Sequence, residues 1–183
     1  MPHFRDASAA DASLISHIYA TSWRKAYRGL IPQHYLDRLP DEYWVPSIRS
    51  WLESGRLNGL IVYDDKRPAG CAIYGRGRDE DHSDWGEIVS IYMLPDATRQ
   101  GLGGVLLEEC LSRMRQDGYA RFYLWAIEGN AIADAFYRKH GFKVTGDHVC
   151  YQIGGESVRD LRYVLVGNKT PARSGAQAAA ANA

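Results

Sequence analysis

Gly101, Gly103 and Gly104 stand close together in Thr98-Arg99-Gln100-Gly101-Leu102-Gly103-Gly104, directly ahead of a run whose apolar residues recur at helical spacing. The first turn of a helix has four backbone N–H groups without intrahelical partners, and the aligned peptide dipoles put partial positive charge there. Glycines at that point remove the Cβ atoms that would hold an anion away, so a diphosphate can rest against bare main chain. Arg99 can add a cation. Spacing excludes two familiar solutions: a dinucleotide fingerprint needs glycine or alanine at position 106, which is Leu106, and a P-loop needs Lys-Ser or Lys-Thr after its last glycine. Taken alone, what remains also suits an ordinary helix-capping turn.

Such a turn needs a strand to deliver it and a helix to receive it. Ile88, Val89, Ile91, Tyr92 and Met93 form a β-branched and aromatic run that Pro95 ends, because proline cannot continue a ladder. Leu102, Val105, Leu106, Cys110, Leu111 and Met114 recur every three to four residues, and Asp117-Gly118 stops the helix that they imply. Around this unit the sequence predicts a short strand over 2–6, a helix over 9–24, a second from Pro32 to Leu39 and a third over 41–54. Hairpin strands over 59–63 and 69–74 follow, then the central unit, a strand over 121–126, a helix over 131–140, and two closing strands over 143–153 and 158–166. The order implies one α/β domain over 1–166, a mixed sheet flanked by helices whose N-terminal half is antiparallel. Residues 167–183, rich in Ala with Gly, Ser and Pro, predict a disordered tail.

Composition sets outer limits. The chain has 183 residues, enough for one domain with a substantial core. Lys+Arg and Asp+Glu are 22 each, so no overall field draws in nucleic acid or an anionic membrane. No apolar run approaches a membrane span, and Asp6 and Asp11 interrupt the N-terminus where a signal peptide would be apolar, which points to the cytoplasm. Cys71, Cys110 and Cys150 are odd in number and widely spaced, and read as reduced core thiols. His3, His17, His34, His82, His140 and His148 make no H-x-x-x-H or Cys/His cluster, so no metal site is expected.

Asn130 precedes Ala131-Ile132-Ala133-Asp134-Ala135-Phe136-Tyr137-Arg138-Lys139-His140-Gly141-Phe142. An N-cap Asn and a C′ glycine explain a capped helix and nothing more. In its place one strand after the glycine turn, however, the segment resembles a motif of the GNAT superfamily of N-acetyltransferases, N-x-x-A-x-x-F-Y-x-x-x-G-F. The superfamily's other motif, a strand ending in V-x-V-x-P-like sequence and then Q/R-x-x-G-x-G/A, is matched by Ile91 to Pro95 and Thr98 to Gly103. Thr98 departs from the usual Gln or Arg. Backbone amides make the phosphate contacts, so this change is tolerable.

The resemblance implies a GNAT-like, centrally splayed sheet and acetyl transfer from acetyl-CoA, as co-substrate, to the primary amine of a small molecule or peptide. It assigns the diphosphate to Thr98, Arg99, Gln100, Gly101, Leu102, Gly103 and Gly104. The pantetheine arm falls to the backbone of Ile91, Tyr92 and Met93, where neighbouring strands part, with Asn130 and Ala133 opposite. Tyr137 matches the family tyrosine that protonates the departing thiolate. Glu87, four residues before Ile91, is the implied general base, since an amine near pKa ~10.4 must lose a proton before it attacks; a salt bridge is the competing role for Glu87. The loop Asp79-Glu80-Asp81-His82-Ser83-Asp84 either gathers a cationic amine or is merely solvated, and Trp23, Tyr27 and Trp51 either wall the acceptor pocket or pack the core. An acyl-CoA-binding regulatory module without turnover is the alternative, and homodimer formation stays open.

Overall fold

The computed structural model of the chain describes residues 2–167. The predicted tail lies, from residue 168 onward, outside them. Within them a seven-stranded mixed sheet runs in the order β1-β2-β3-β4-β5-β7-β6, with helices on both faces. The strands are β1 (His3–Asp6), β2 (Leu57–Asp64), β3 (Arg67–Arg76), β4 (Gly86–Met93), β5 (Arg121–Ile127), β6 (Lys143–Ile153) and β7 (Glu156–Val166). The helices are α1 (Ala12–Ala26), α2 (Gln33–Arg38), α3 (Val45–Glu53), α4 (Leu102–Gln116) and α5 (Ala131–Lys139). Among the described residues no helix is long and apolar enough to cross a membrane.

Apolar periodicity decides which face each helix takes. In α4 the stripe Leu102, Leu106, Leu107, Cys110, Leu111 and Met114 is buried against Leu60, Ala72, Ile88, Phe122 and Leu124 of the sheet. Truncating one of the fully buried leucines to alanine would cost about 2–5 kcal/mol. On the opposite face Ile15, Ile18 and Tyr19 of α1 and Ile48 of α3 pack on Ile61, Cys71 and Ile73. Covered on both sides, β3 is buried continuously from Ala69 to Gly75 and therefore reads as an unbroken apolar run rather than an alternating one. A smaller cluster joins Ile31 and Leu36, around α2, to Ile127, Ile153 and Val158.

The predicted closing strands form a hairpin, but β7 inserts between β5 and β6. This leaves β6 as an outer strand that is exposed over most of its length. Cys71 and Cys110 are core thiols as expected; Cys150, on β6, is exposed, because an outer strand with one neighbour has too little around it to bury its side chains.

The sheet is two half-sheets with a short seam. Strands β1 to β4 are antiparallel neighbours, and β5, β7 and β6 are likewise antiparallel to one another. Between the halves, β4 and β5 are parallel and pair only at Gly86 with Phe122 and Glu87 with Tyr123. Beyond Glu87 the two strands part. A register shift between β3 and β4 at Ile73/Tyr74 adds local twist just past the seam.

Candidate active site

Residues between β4 and α4 form a cradle of main chain whose shape comes from a few local bonds and two left-handed residues. Leu94 N–H bonds to Ala69 O at 2.8 Å, Pro95–Ala97 makes a single 3-10 turn, and the chain then turns left-handed at Arg99 (φ 63°) and again at Gly101 (φ 80°). A left-handed arginine costs on the order of 1–3 kcal/mol, and such reversals turn successive N–H groups toward one point. Thr98 Oγ1 donates to Pro95 O at 2.9 Å and Gln100 Nε2 to Asp96 O at 3.1 Å, so these side chains brace the loop. No amide from Thr98 to Gly103 donates a backbone hydrogen bond among the described residues.

Gly104 differs from its neighbours. Its N–H already donates to Gly101 O at 3.1 Å, closing the first turn of α4, and it cannot be the free donor predicted for it. A Cβ there would come within 3.1 Å of the His140 ring, so Gly104 serves packing between α4 and the end of α5. At Gly103 a Cβ would be no nearer than 3.5 Å to any atom, and at Gly101 nothing lies within 4 Å. Positive φ explains Gly101. At Gly103 the protein itself makes no demand for glycine, which fits a ligand approaching from outside.

The seam opens beside this cradle. Ile91, Tyr92 and Met93 pair with Ala72, Cys71 and Gly70 of β3 and have no partner on their β5 side. The opening thus begins at Ile88, nearer the start of β4 than the predicted parting at Ile91–Met93. Helix α1 secures the other side of β4: Ser22 Oγ donates to Met93 O at 2.8 Å, Trp23 Nε1 donates to Tyr92 Oη at 2.9 Å, and the Tyr19 and Ser90 hydroxyls are bonded to one another. Tyr27 Oη lies 3.2 Å from Tyr92 Oη, whose pKa burial pushes up to about 12. Trp23 and Tyr27 pack against each other, with ring centroids 4.9 Å apart, and against the Ile31 and Leu36 cluster, while their polar atoms reach Tyr92 Oη. Trp51 stands apart from them, its ring 5.9 Å from the Arg78 guanidinium.

Helix α5 faces the opening from the other half-sheet. Asn130 caps it, with Oδ1 accepting from Ala133 N–H at 3.1 Å, and Gly141 ends it at φ 86°. Within α5, Phe136 brings its ring to the edge of Gly103. Tyr137 is buried between Phe142 and Tyr163, with ring centroids 5.9 and 5.7 Å away. Burial first, then the Tyr92 and Tyr163 phenols, push its pKa well above the ordinary tyrosine value, so it stays protonated at neutral pH.

Glu87 sits at the apex of the seam and is only 1% exposed. Its carboxylate accepts from Arg78 Nε at 2.9 Å, from an Arg78 Nη at 2.7 Å, from Arg78 N–H at 3.0 Å and from Tyr123 Oη at 3.0 Å. Three of those donors meet Oε2, leaving spare capacity only on Oε1. The free carboxylate that a direct base requires is thus replaced by the competing salt bridge, because the guanidinium fork matches a carboxylate in geometry and charge.

The acidic loop is likewise paired. Arg162, 7% exposed, reaches Asp81 at 3.0 Å and Asp79 and Asp147 at 3.3 Å, with its guanidinium 4.7 Å over the Trp125 ring. Asp79 also accepts from Trp125 Nε1 at 2.9 Å, and Asp84 pairs with Arg121. Glu80, Asp81 and Asp84 are exposed, as in a solvated loop, while the pairs of Asp79, Asp81 and Asp84 tie the loop to β5 and β7. Arg78, Tyr123 and Arg162 are the residues around Glu87 and the acidic loop that the motifs miss. Arg162, a lone cation inside the apolar run Leu161 to Val166, is a signal that could have found one of them.

A family model described as the acetyltransferase (GNAT) family matches residues 18–142. The chain is 32% identical over 159 residues to an uncharacterized N-acetyltransferase of Bacillus subtilis, YuaI, covering 86% of this chain and 88% of that one. It is 23% identical over 141 residues to a spermidine N(1)-acetyltransferase of Thermoplasma acidophilum, covering 76% and 87%. Among solved structures, the PaiA N-acetyltransferase of Thermoplasma acidophilum in complex with coenzyme A superposes with a TM-score of 0.70 at 19% identity, over 87% of this chain and 98% of that one. A putative acetyltransferase of Salmonella typhimurium, yncA, with its cofactor acetyl-CoA, gives 0.71 at 21% identity, over 95% and 98%. At such identities the likeness of structure is one of fold.

Proposed function

Since the chain belongs to the GNAT family of acetyltransferases, we propose that it transfers acetyl from acetyl-CoA to the primary amine of a small molecule or peptide, by direct attack in the opening between β4 and α5. The observation that carries this reading is the parting of β4 from β5 after Glu87, with unpartnered amides at the end of the opened strand and Tyr137 across from it. The amides of Thr98 to Gly103 fit a diphosphate, and the bare Cα of Gly103 lets it approach. Gly104 supports this turn by packing. Ile91, Tyr92 and Met93 offer the unpaired edge of β4 to the pantetheine arm, and Asn130 and Ala133 border it from α5.

Each residue then has one task. A main-chain N–H on the open edge of β4 meets the charge that builds on the thioester oxygen. Tyr137, kept neutral by burial, donates its proton to the departing sulfur. Glu87 holds Arg78 and Tyr123 at the apex and sets where the strands part; any proton that it receives reaches Oε1 through water. Because acetyl-CoA is made and used in the cytoplasm, the reaction belongs there.

Calorimetry with acetyl-CoA, together with thiol release across polyamines, aminoglycosides, amino acids and peptide N-termini, tests the proposal. Binding followed by acceptor-dependent thiol release is expected. Binding with no release across the panel would leave the non-catalytic acyl-CoA module, and absence of binding would remove both.

A further inference from the structure

One carboxylate on the acceptor face has an oxygen, Asp160 Oδ1, that no group among the described residues meets. Asp160 lies mid-strand in β7, paired with Ile127 of β5 and Val149 of β6. Strand alternation and cross-strand register place it on the face that carries Trp125, Tyr123 and Glu87. Asp160 Oδ1 and Arg162 Nε are the two buried side-chain polar atoms without a hydrogen-bond partner among the described residues. An unmet acceptor of this kind carries the full penalty of leaving water, and in native proteins it calls for an external partner or a role.

The surroundings point to that partner. Three phenols feel the charge of this carboxylate: after burial, it helps push Tyr27 of α1, Tyr92 of β4 and Tyr151 of β6 upward. Two of these, Tyr27 and Tyr92, also border the opening in front of Tyr137. Arg162 is two residues along β7 on the same face, but its terminal nitrogens meet Asp79, Asp81 and Asp147, leaving that cluster with more negative than positive charge. At the apex, Glu87 and Arg78 cancel. A cation is favoured here and an anion is opposed.

Building on the acetyl transfer proposed above, we propose that Asp160 receives the acceptor: its Oδ1 accepts a hydrogen bond from an alkylammonium group and takes a proton from it. The N–H bond breaks toward Oδ1, and the freed lone pair forms the C–N bond to the acetyl carbonyl carbon. The C–S bond then breaks, sulfur takes the Tyr137 proton, and a second proton from nitrogen restores Tyr137. Asp160 passes its own proton to solvent, so the products are the amide, the thiol and one proton. Burial raises the pKa of Asp160 above the ordinary carboxylate value, which makes it the stronger base, with Tyr151 opposing part of that rise. The substrate class that follows is an amine on an alkyl arm, as in a polyamine or a lysine side chain, in preference to the α-amino group of a free amino acid, whose carboxylate would enter the negative cluster.

The test compares wild type with Asp160→Asn, and with Asp160→Ser as a second variant, using spermidine, butylamine and glycine as probes. Calorimetry on the CoA-loaded protein measures amine binding, and thiol release measures turnover. Expected are at least ~10-fold weaker spermidine and butylamine binding, about 100-fold lower kcat/KM, and loss of the acidic limb of the pH–rate profile. Acetyl-CoA affinity should not change, and the melting temperature should hold or rise, since an unmet charge has been removed. Glycine should be the poorest acceptor. If wild type acetylates these amines and both variants do so within two-fold, Asp160 is excluded while acetyl transfer stands. If a variant loses melting temperature and acetyl-CoA affinity together with rate, its role is structural and the proposal fails. A wild type that binds acetyl-CoA yet neither binds nor acetylates any probe removes the amine reading and this proposal with it.

Discussion

The two sides of the opening are built from different materials. Toward α4 and α5 the site is main chain plus one phenol: amides from Thr98 to Gly103 that donate to no backbone acceptor, and Tyr137 in an apolar setting. Toward β5 and β7 it is charged side chains that mostly satisfy one another, Arg78 with Glu87 and Arg162 with Asp79, Asp81 and Asp147. A backbone cradle suits a ligand that never changes, because its donors are fixed by chain direction. Side-chain pairs set shape and net charge, which is what must vary when one fold takes different acceptors.

Substitutions on the two sides should therefore fail in different ways. Tyr137→Phe should lower kcat by about 100-fold with acetyl-CoA affinity and melting temperature intact; a matching loss of affinity would mean that the hydroxyl serves binding. On the other side, Glu87→Gln should cost roughly 2 kcal/mol of stability in denaturant titration, because Arg78 loses its charged partner at the apex. Unchanged stability with a shifted pH–rate profile would return Glu87 to the role of base. Gly103→Ala should weaken acetyl-CoA about 10-fold in calorimetry while holding or slightly raising the melting temperature, since no protein atom opposes the methyl group and alanine is the better helix former. The smallest effect lies far from the cleft. Arg5 holds the Asp11 carboxyl at about 2, below its ordinary 3.8, so the stability that it lends is present above about pH 4 and fades as pH falls toward 2. Asp11→Asn should flatten that part of an acid titration, and an unchanged curve would show the pair to be fully screened.

The same contrast explains what was legible in the sequence. The cradle is local: strand, proline, glycines and helix follow each other without interruption between Gly86 and Gln116, and propensity alone places them. Asn130 and Tyr137 come with a helix whose cap and stop are equally local. Gly104 was misjudged because its neighbour His140 arrives from another element, and the reach of Glu87 to Arg78 and Tyr123 depends on register across three strands. Arg162 gathers carboxylates from the β3–β4 loop and from β6, which no spacing rule can announce. Element order was readable throughout; strand order was not, because nothing in the final hairpin tells which of its arms meets β5.

That arrangement has a consequence for how the molecule is made. Of the described strands β7 is synthesised last, yet it lies between β5 and β6 and carries both Asp160 and Arg162. Until it emerges, β5 has only its brief seam with β4 and β6 has no neighbour, so both nascent edges stay open to wrong pairing. The half of the cleft proposed to choose the acceptor is thus completed, among the described strands, after the half proposed to hold the acetyl donor.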